Sequence, residues 1–128
     1  SYNKIEHLVN IYQSDVFDGI PSGEKFDLVV SNPPHFPPEM KMGNTELGEV
    51  NLKAYDLGWE IHRKFYSGIK DYMQPGGHVV MQENTQGGMD VETFREMIEA
   101  GGGEIIDWVQ SKDVTGKTNP MFYLVTKY

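Results

Sequence analysis

The run Phe26-Asp27-Leu28-Val29-Val30, which leads directly into Ser31-Asn32-Pro33-Pro34, constrains this chain more than any other feature. Apolar and branched residues at that density favour a strand, and two consecutive prolines cannot continue a central ladder, so the strand must stop at Asn32. Such an abrupt end predicts the start of a functional loop. Residues Phe36 to Asn51 add two prolines, two glycines and no period, a length more typical of a lid or binding loop than of a connector.

The flanking pattern supplies the rest of an architecture. A short apolar strand is predicted at Leu8 to Tyr12, followed by the polar corner Gln13-Ser14-Asp15 and by Pro21 and Gly23 as loop punctuation. From Leu52 the spacing turns helical, with Trp59, His62, Phe65, Tyr66, Ile69, Tyr72 and Met73 on one stripe until Pro75-Gly76-Gly77 stops it. Val79-Val80-Met81 reads as a strand buried on both faces. Asp90 is the expected N-cap of a helix that places Val91, Phe94, Met97 and Ile98 on one face and ends at Gly101-Gly102-Gly103. Two last strands, Glu104 to Gln110 and Met121 to Lys127, lie close enough across a polar turn to form an antiparallel hairpin. The order predicts an α/β fold: helices packed on a mostly parallel sheet with an antiparallel terminal strand, formed by the 128 residues as a single domain.

Composition narrows the function classes. With no cysteine, disulfide frameworks, thiolate metal sites and cysteine nucleophiles are excluded, which suits a reducing cytoplasm. A formal charge of −8 makes a phosphate backbone a disfavoured partner. No apolar run reaches the length of a membrane span, and no export signal opens the chain. The four histidines, at positions 7, 35, 62 and 78, lack the carboxylate spacing of a metal site, and His62 reads as a satisfied boundary residue on its helix stripe. Tyr55, Trp59 and Tyr66 have the spacing of core packing rather than of a base-stacking platform. Gln82-Glu83-Asn84 closes the third strand and reads as strand-end polarity, with a role toward substrate as the alternative.

The stretch from Phe26 to Phe36 resembles the strand-plus-loop motif of class I, Rossmann-like S-adenosylmethionine-dependent N-methyltransferases, in which Asn/Asp-Pro-Pro is followed by an aromatic residue. The resemblance implies methyl transfer to a planar amine or amide nitrogen of a protein, nucleic acid or small molecule. Such a nitrogen is a weak nucleophile because its lone pair is delocalised. The Asn32 side-chain oxygen and the Pro33 carbonyl would each accept an N–H and aim the lone pair at the methyl donor, with Pro34 stiffening the loop. His35 stands in the usual aromatic position with Phe36 next to it, so either ring would stack on the target group.

Val9 to Phe17 is similar to the family's strand whose acidic residue binds the adenine amino group, which implies that role for Asp15, with the Val16 N–H beside it and Asn32 also near the cofactor. The family's glycine-rich strand-turn-helix has no counterpart here, since Gly76-Gly77, Gly87-Gly88 and Gly101 to Gly103 stand in other contexts. The expectation is the C-terminal part of a methyltransferase fold that binds S-adenosylmethionine weakly. A non-catalytic, methyltransferase-like module acting in protein association is the rival reading. Without the family's two intervening strands, the edge of Phe26 to Val30 is left open, which predicts a homo-oligomer or an edge covered by the chain's own first strand.

Overall fold

The computed structural model describes residues 4–36, 54–86 and 88–128. Most of the segment expected to be a binding loop, Phe36 to Asn51, together with Leu52 and Gly87, lies outside the described residues.

Four strands form one sheet in the order β1-β2-β4-β3: β1 (Phe26–Ser31), β2 (Met73–Asn84), β3 (Glu104–Lys112) and β4 (Thr118–Lys127). β1 runs parallel to β2, with Val30 opposite Val80 and Ser31 opposite Met81. β4 is antiparallel to both β2 and β3. The sheet is therefore mixed and mostly antiparallel, a correction to the mostly parallel expectation. A parallel strand requires a crossover, and among the described residues only β1 to β2 has one; the terminal hairpin inserts β4 beside β2 and makes the other pairings antiparallel.

The expected strand at Leu8 to Tyr12 does not form. Glu6–Leu8 is a single 3₁₀ turn, and the residues after it have no strand pairing, leaving Leu8 72% and Ile11 91% exposed. A strand needs a neighbour for its backbone N–H and C=O groups, and among the described residues none lies alongside.

Helix α1 (Glu60–Gly68) is shorter than the sequence period suggests. A 3₁₀ turn, Leu57–Trp59, precedes it, with Gly58 and Trp59 both left-handed at φ 60° and 58°, and a second 3₁₀ turn, Ile69–Tyr72, follows it. The apolar stripe persists through these tightened turns, so its period outlasts the regular helix. Pro75-Gly76-Gly77 does not end the helix but lies within β2, where the ladder steps five residues from Met73 to His78 against two from Phe26 to Leu28. The extra residues form a bulge, and Gly76 takes φ 81° there without steric cost.

Helix α2 (Val91–Ala100) begins as expected. Asp90 Oδ1 accepts from the Glu92 and Thr93 amides at 2.9 and 3.3 Å, and Thr93 Oγ1 accepts from the Asp90 amide at 3.0 Å, a reciprocal cap. Both helices cover one sheet face. Tyr66, Ile69, Phe94 and Ile98 interlock there with Val79, Met81, Phe122 and Leu124, all buried. Gly101 lets the end of α2 approach α1, since a Cβ there would stand 2.1 Å from the Tyr66 carbonyl oxygen. On the other side of β1, Leu28 and Val30 are 58% and 70% exposed.

Candidate functional site

β1 carries the chain to Ser31, and Asn32-Pro33-Pro34-His35-Phe36 emerges at its C-terminal end, where open α/β sheets bind ligands. The loop is tied down at its far end. The His35 and Phe36 amides donate to the Ala54 carbonyl at 3.1 and 3.0 Å, and the Asp56 amide donates to the Phe36 carbonyl at 2.8 Å. Asn32 is exposed, Pro33 and Pro34 are half-buried, and Phe36 is buried with its ring 6.3 Å from that of Tyr55. His35 remains half-buried at the surface. Burial, and then the nearby positive charge of His62, hold the His35 imidazole below its ordinary pKa, so the ring is neutral at neutral pH.

Beneath this loop lies a group of residues that the sequence reading did not bring together. Asp56 precedes α1 and caps it, with Oδ1 accepting from the Ile61 amide at 2.8 Å and Oδ2 from the His62 amide at 2.9 Å. The same Oδ2 lies 2.6 Å from His62 Nδ1, and His62 Nε2 lies 2.7 Å from Glu83 Oε1. All three residues are buried. His62 is thus not a boundary residue, and Glu83 is not strand-end polarity but faces inward beneath α1. Burial by itself would lower the His62 pKa, but the bonds to Asp56 and Glu83 and their charges raise it to about 9. Burial likewise raises the carboxyl of Glu83 above its usual range, and His62 offsets that only in part. At Asp56 burial is outweighed by the His62 bond and the two capping amides, which hold the carboxyl low. The Phe94 ring stacks on the imidazole at 4.8 Å, and Trp59 meets it edge-on at 5.0 Å.

The sequence did hold a signal for this trio. Val79, Met81 and Glu83 alternate on the inward register of β2, so a carboxylate on that face required a buried partner. Asp56 stands six residues before His62, within reach of the start of a helix. Of the other polar residues at this strand end, Asn84 is buried, with Nδ2 donating to Met121 Sδ at 3.3 Å. Tyr66 and Trp59 pack in or against the core, as their spacing predicts.

A groove of about 480 Å³ runs along β1, walled by Val16, Phe17 and Ile20 on one side and by Val29, Pro33 and Ile61 on the other. The Ser14 hydroxyl, which donates to the Val16 carbonyl at 2.9 Å and accepts from the Gly19 amide at 2.7 Å, folds the first wall into a tight turn. Val16 is left-handed at φ 55°, an unusual conformation for a branched residue. Asp15 is exposed, and Lys64 of α1 bridges it and Asp18 at 2.9 and 2.8 Å. Val16 and Pro33 thus line the groove, Asp15 lies outside its lining with its carboxylate on Lys64, and Phe36 is turned into the fold.

No protein-family model and no curated protein matches the sequence. Solved structures do match the fold. One, "A putative sam-dependent methyltransferase from Streptococcus mutans", superposes with a TM-score of 0.53 at 15% identity, covering 82% of this chain and 26% of that one. Another, SMU.776, described as "a putative methyltransferase complexed with SAH", gives 0.51 at 16% identity, with 82% and 27% covered. The chain spans about a quarter of the length of these structures and shares its fold with a segment of each. Among the described residues no helix is long and apolar enough to cross a membrane.

Proposed function

We propose that this chain forms the acceptor side of an S-adenosylmethionine-dependent N-methyltransferase, acting on a planar amine or amide nitrogen. The observation that carries the reading is the Asn32-Pro33-Pro34-His35 loop, pinned at the C-terminal end of β1 beside an apolar groove, in a fold shared with methyltransferases. Asn32 and the Pro33 carbonyl accept the two N–H groups of the target and orient its lone pair, while the rigid dipeptide limits their freedom. His35 supplies the stacking face, because Phe36 is already spent on packing and the neutral imidazole ring is flat and partly exposed.

The groove fits the adenine end of the cofactor: its walls are apolar, Val16 lines it, and the exposed Asp15 precedes Val16 in the same turn. When bound, the cofactor supplies an activated methyl group; the residues described here orient the acceptor. The cation among the described residues that line the groove, His62, has both ring nitrogens engaged by Asp56 and Glu83, which leaves it unable to hold the cofactor's carboxylate and supports weak binding by this chain. A formal charge of −8 favours a protein or small-molecule acceptor over nucleic acid.

A second reading, association through the sheet without catalysis, is favoured by the side of β1 away from β2, which has no strand partner among the described residues. Titration with S-adenosylhomocysteine, followed through the backbone amide signals, separates the two. Shifts confined to Asp15, Val16, Phe17 and the Asn32 loop at millimolar ligand are the expected result; a spectrum unchanged throughout overturns the catalytic reading.

A further inference from the structure

We propose that Asp56, His62 and Glu83 act as a buried strut that sets the position of the Asn32–Phe36 loop, making all three positioning residues for the acceptor site. The inference rests on the reading of that loop as the acceptor site, but its structural content is tested separately.

The bonds form a closed circuit. β1 is fixed to β2 by the Ser31–Met81 pairing, immediately before Asn32. At the loop's other end the Phe36 carbonyl is held by the Asp56 amide at 2.8 Å. Asp56 then grips His62 through Oδ2, and His62 grips Glu83 at 2.7 Å, two residues along β2 from Met81. Both ends of the five-residue loop are therefore tied to neighbouring points on one strand, one end by the ladder and the other through two charge-assisted bonds. Such bonds are short and directional, and in a dry interior they fix geometry better than apolar contacts of equal area.

The circuit depends on the proton on His62. With both ring nitrogens protonated, the imidazolium donates to a carboxylate on each side; once neutral, it keeps one donor and must leave one carboxylate facing a lone pair. The charged and titratable groups around it are Asp56 before α1, Glu83 on β2 and His35 at the loop, with Tyr66 of α1 near Glu83 and Tyr128, at the chain's end, near Tyr66. From α2 only the Phe94 ring faces it. Among these, His62 alone is bonded to a carboxylate on each side. The same cation acts on His35 across the gap and favours its neutral, stacking form.

The test is a pH titration of the whole chain by nitrogen-15 NMR, reading the His62 ring together with the His35, Phe36 and Asp56 amides, with Trp59 emission in a Trp108→Phe background as a second probe. Both His62 nitrogens should be protonated at pH 7. The three amide signals and the Trp59 emission should then move with the His62 midpoint near pH 9, while the Phe94 to Ile98 amides stay in place. Glu83→Gln, which keeps shape and one acceptor, should lower that midpoint and, at pH 7, already shift the loop amides toward their high-pH positions. Should Glu83→Gln not fold, the wild-type titration alone decides. A His62 ring neutral at pH 7, or loop amides indifferent to its titration, overturns the strut. If the coupling holds but S-adenosylhomocysteine leaves the spectrum unchanged, the strut stands and the methyltransferase reading falls.

Discussion

Asn32 is exposed at the tip of a rigid strand end, so its side chain is removed at little cost to the fold. In a complete enzyme containing this segment, Asn32→Ala is expected to lower kcat about 100-fold while cofactor affinity changes little, because an orienting acceptor acts mainly in the transition state. Steady-state kinetics beside calorimetry with S-adenosylhomocysteine check this, and an unchanged kcat removes Asn32 from the mechanism. His62 makes a prediction of opposite character, on stability. Its folded pKa is raised from 6.5 to about 9, so its contribution is fully present below about pH 6.5 and is lost as pH rises through about 9. Urea unfolding should therefore show a loss of about 2 kcal/mol between pH 7 and pH 10. A flat profile across that window would show that His62 is not held as a cation.

Elements whose ends carry their own chemistry were legible in the sequence. Asp90 announced α2, Gly101 to Gly103 ended it, and the two final strands paired as their spacing implied. The cap predicts that Asp90→Ala costs about 1 kcal/mol in chemical denaturation. At the other end of α2, Gly101→Ala should cost more, about 1–3 kcal/mol, since the new methyl would collide with backbone at Tyr66 rather than with a yielding side chain. Equal stability of the wild type and Gly101→Ala in the same assay would mean that the two helices separate freely. Elements that depend on a neighbour were not legible. Leu8 to Tyr12 has strand composition, but composition cannot supply a pairing partner, and the segment lies exposed. The buried trio was half legible: the alternation placed Glu83 inward, but the meeting of Asp56, His62 and Glu83 joins residues 27 positions apart through a helix whose start had to be known first.

For the molecule as a whole, the side of β1 that has no strand partner among the described residues is the exposed liability. Leu28 and Val30 stand open, and no lysine or proline interrupts the strand to discourage pairing. The chain's own first segment does not cover this edge among the described residues, so a second copy pairing antiparallel along β1 is the expected cover, with two-fold symmetry. Sedimentation should show a dimer that strengthens with added salt as repulsion between chains of charge −8 is screened, and that is lost in Leu28→Lys. A monomer at every concentration and ionic strength would refute it. The pairing of β1 with β2 has a consequence for the order of assembly. Ser31 and Met81 are 50 residues apart in the chain, whereas Lys112 and Thr118, at the closing turn of the hairpin, are six apart. Loop closure favours the near contacts first, so β3 and β4 zip early, β2 joins them, and β1 arrives last. On the return path the last arrival leaves first: a protease meets the Asn32 loop in a partly opened molecule while the hairpin is still intact.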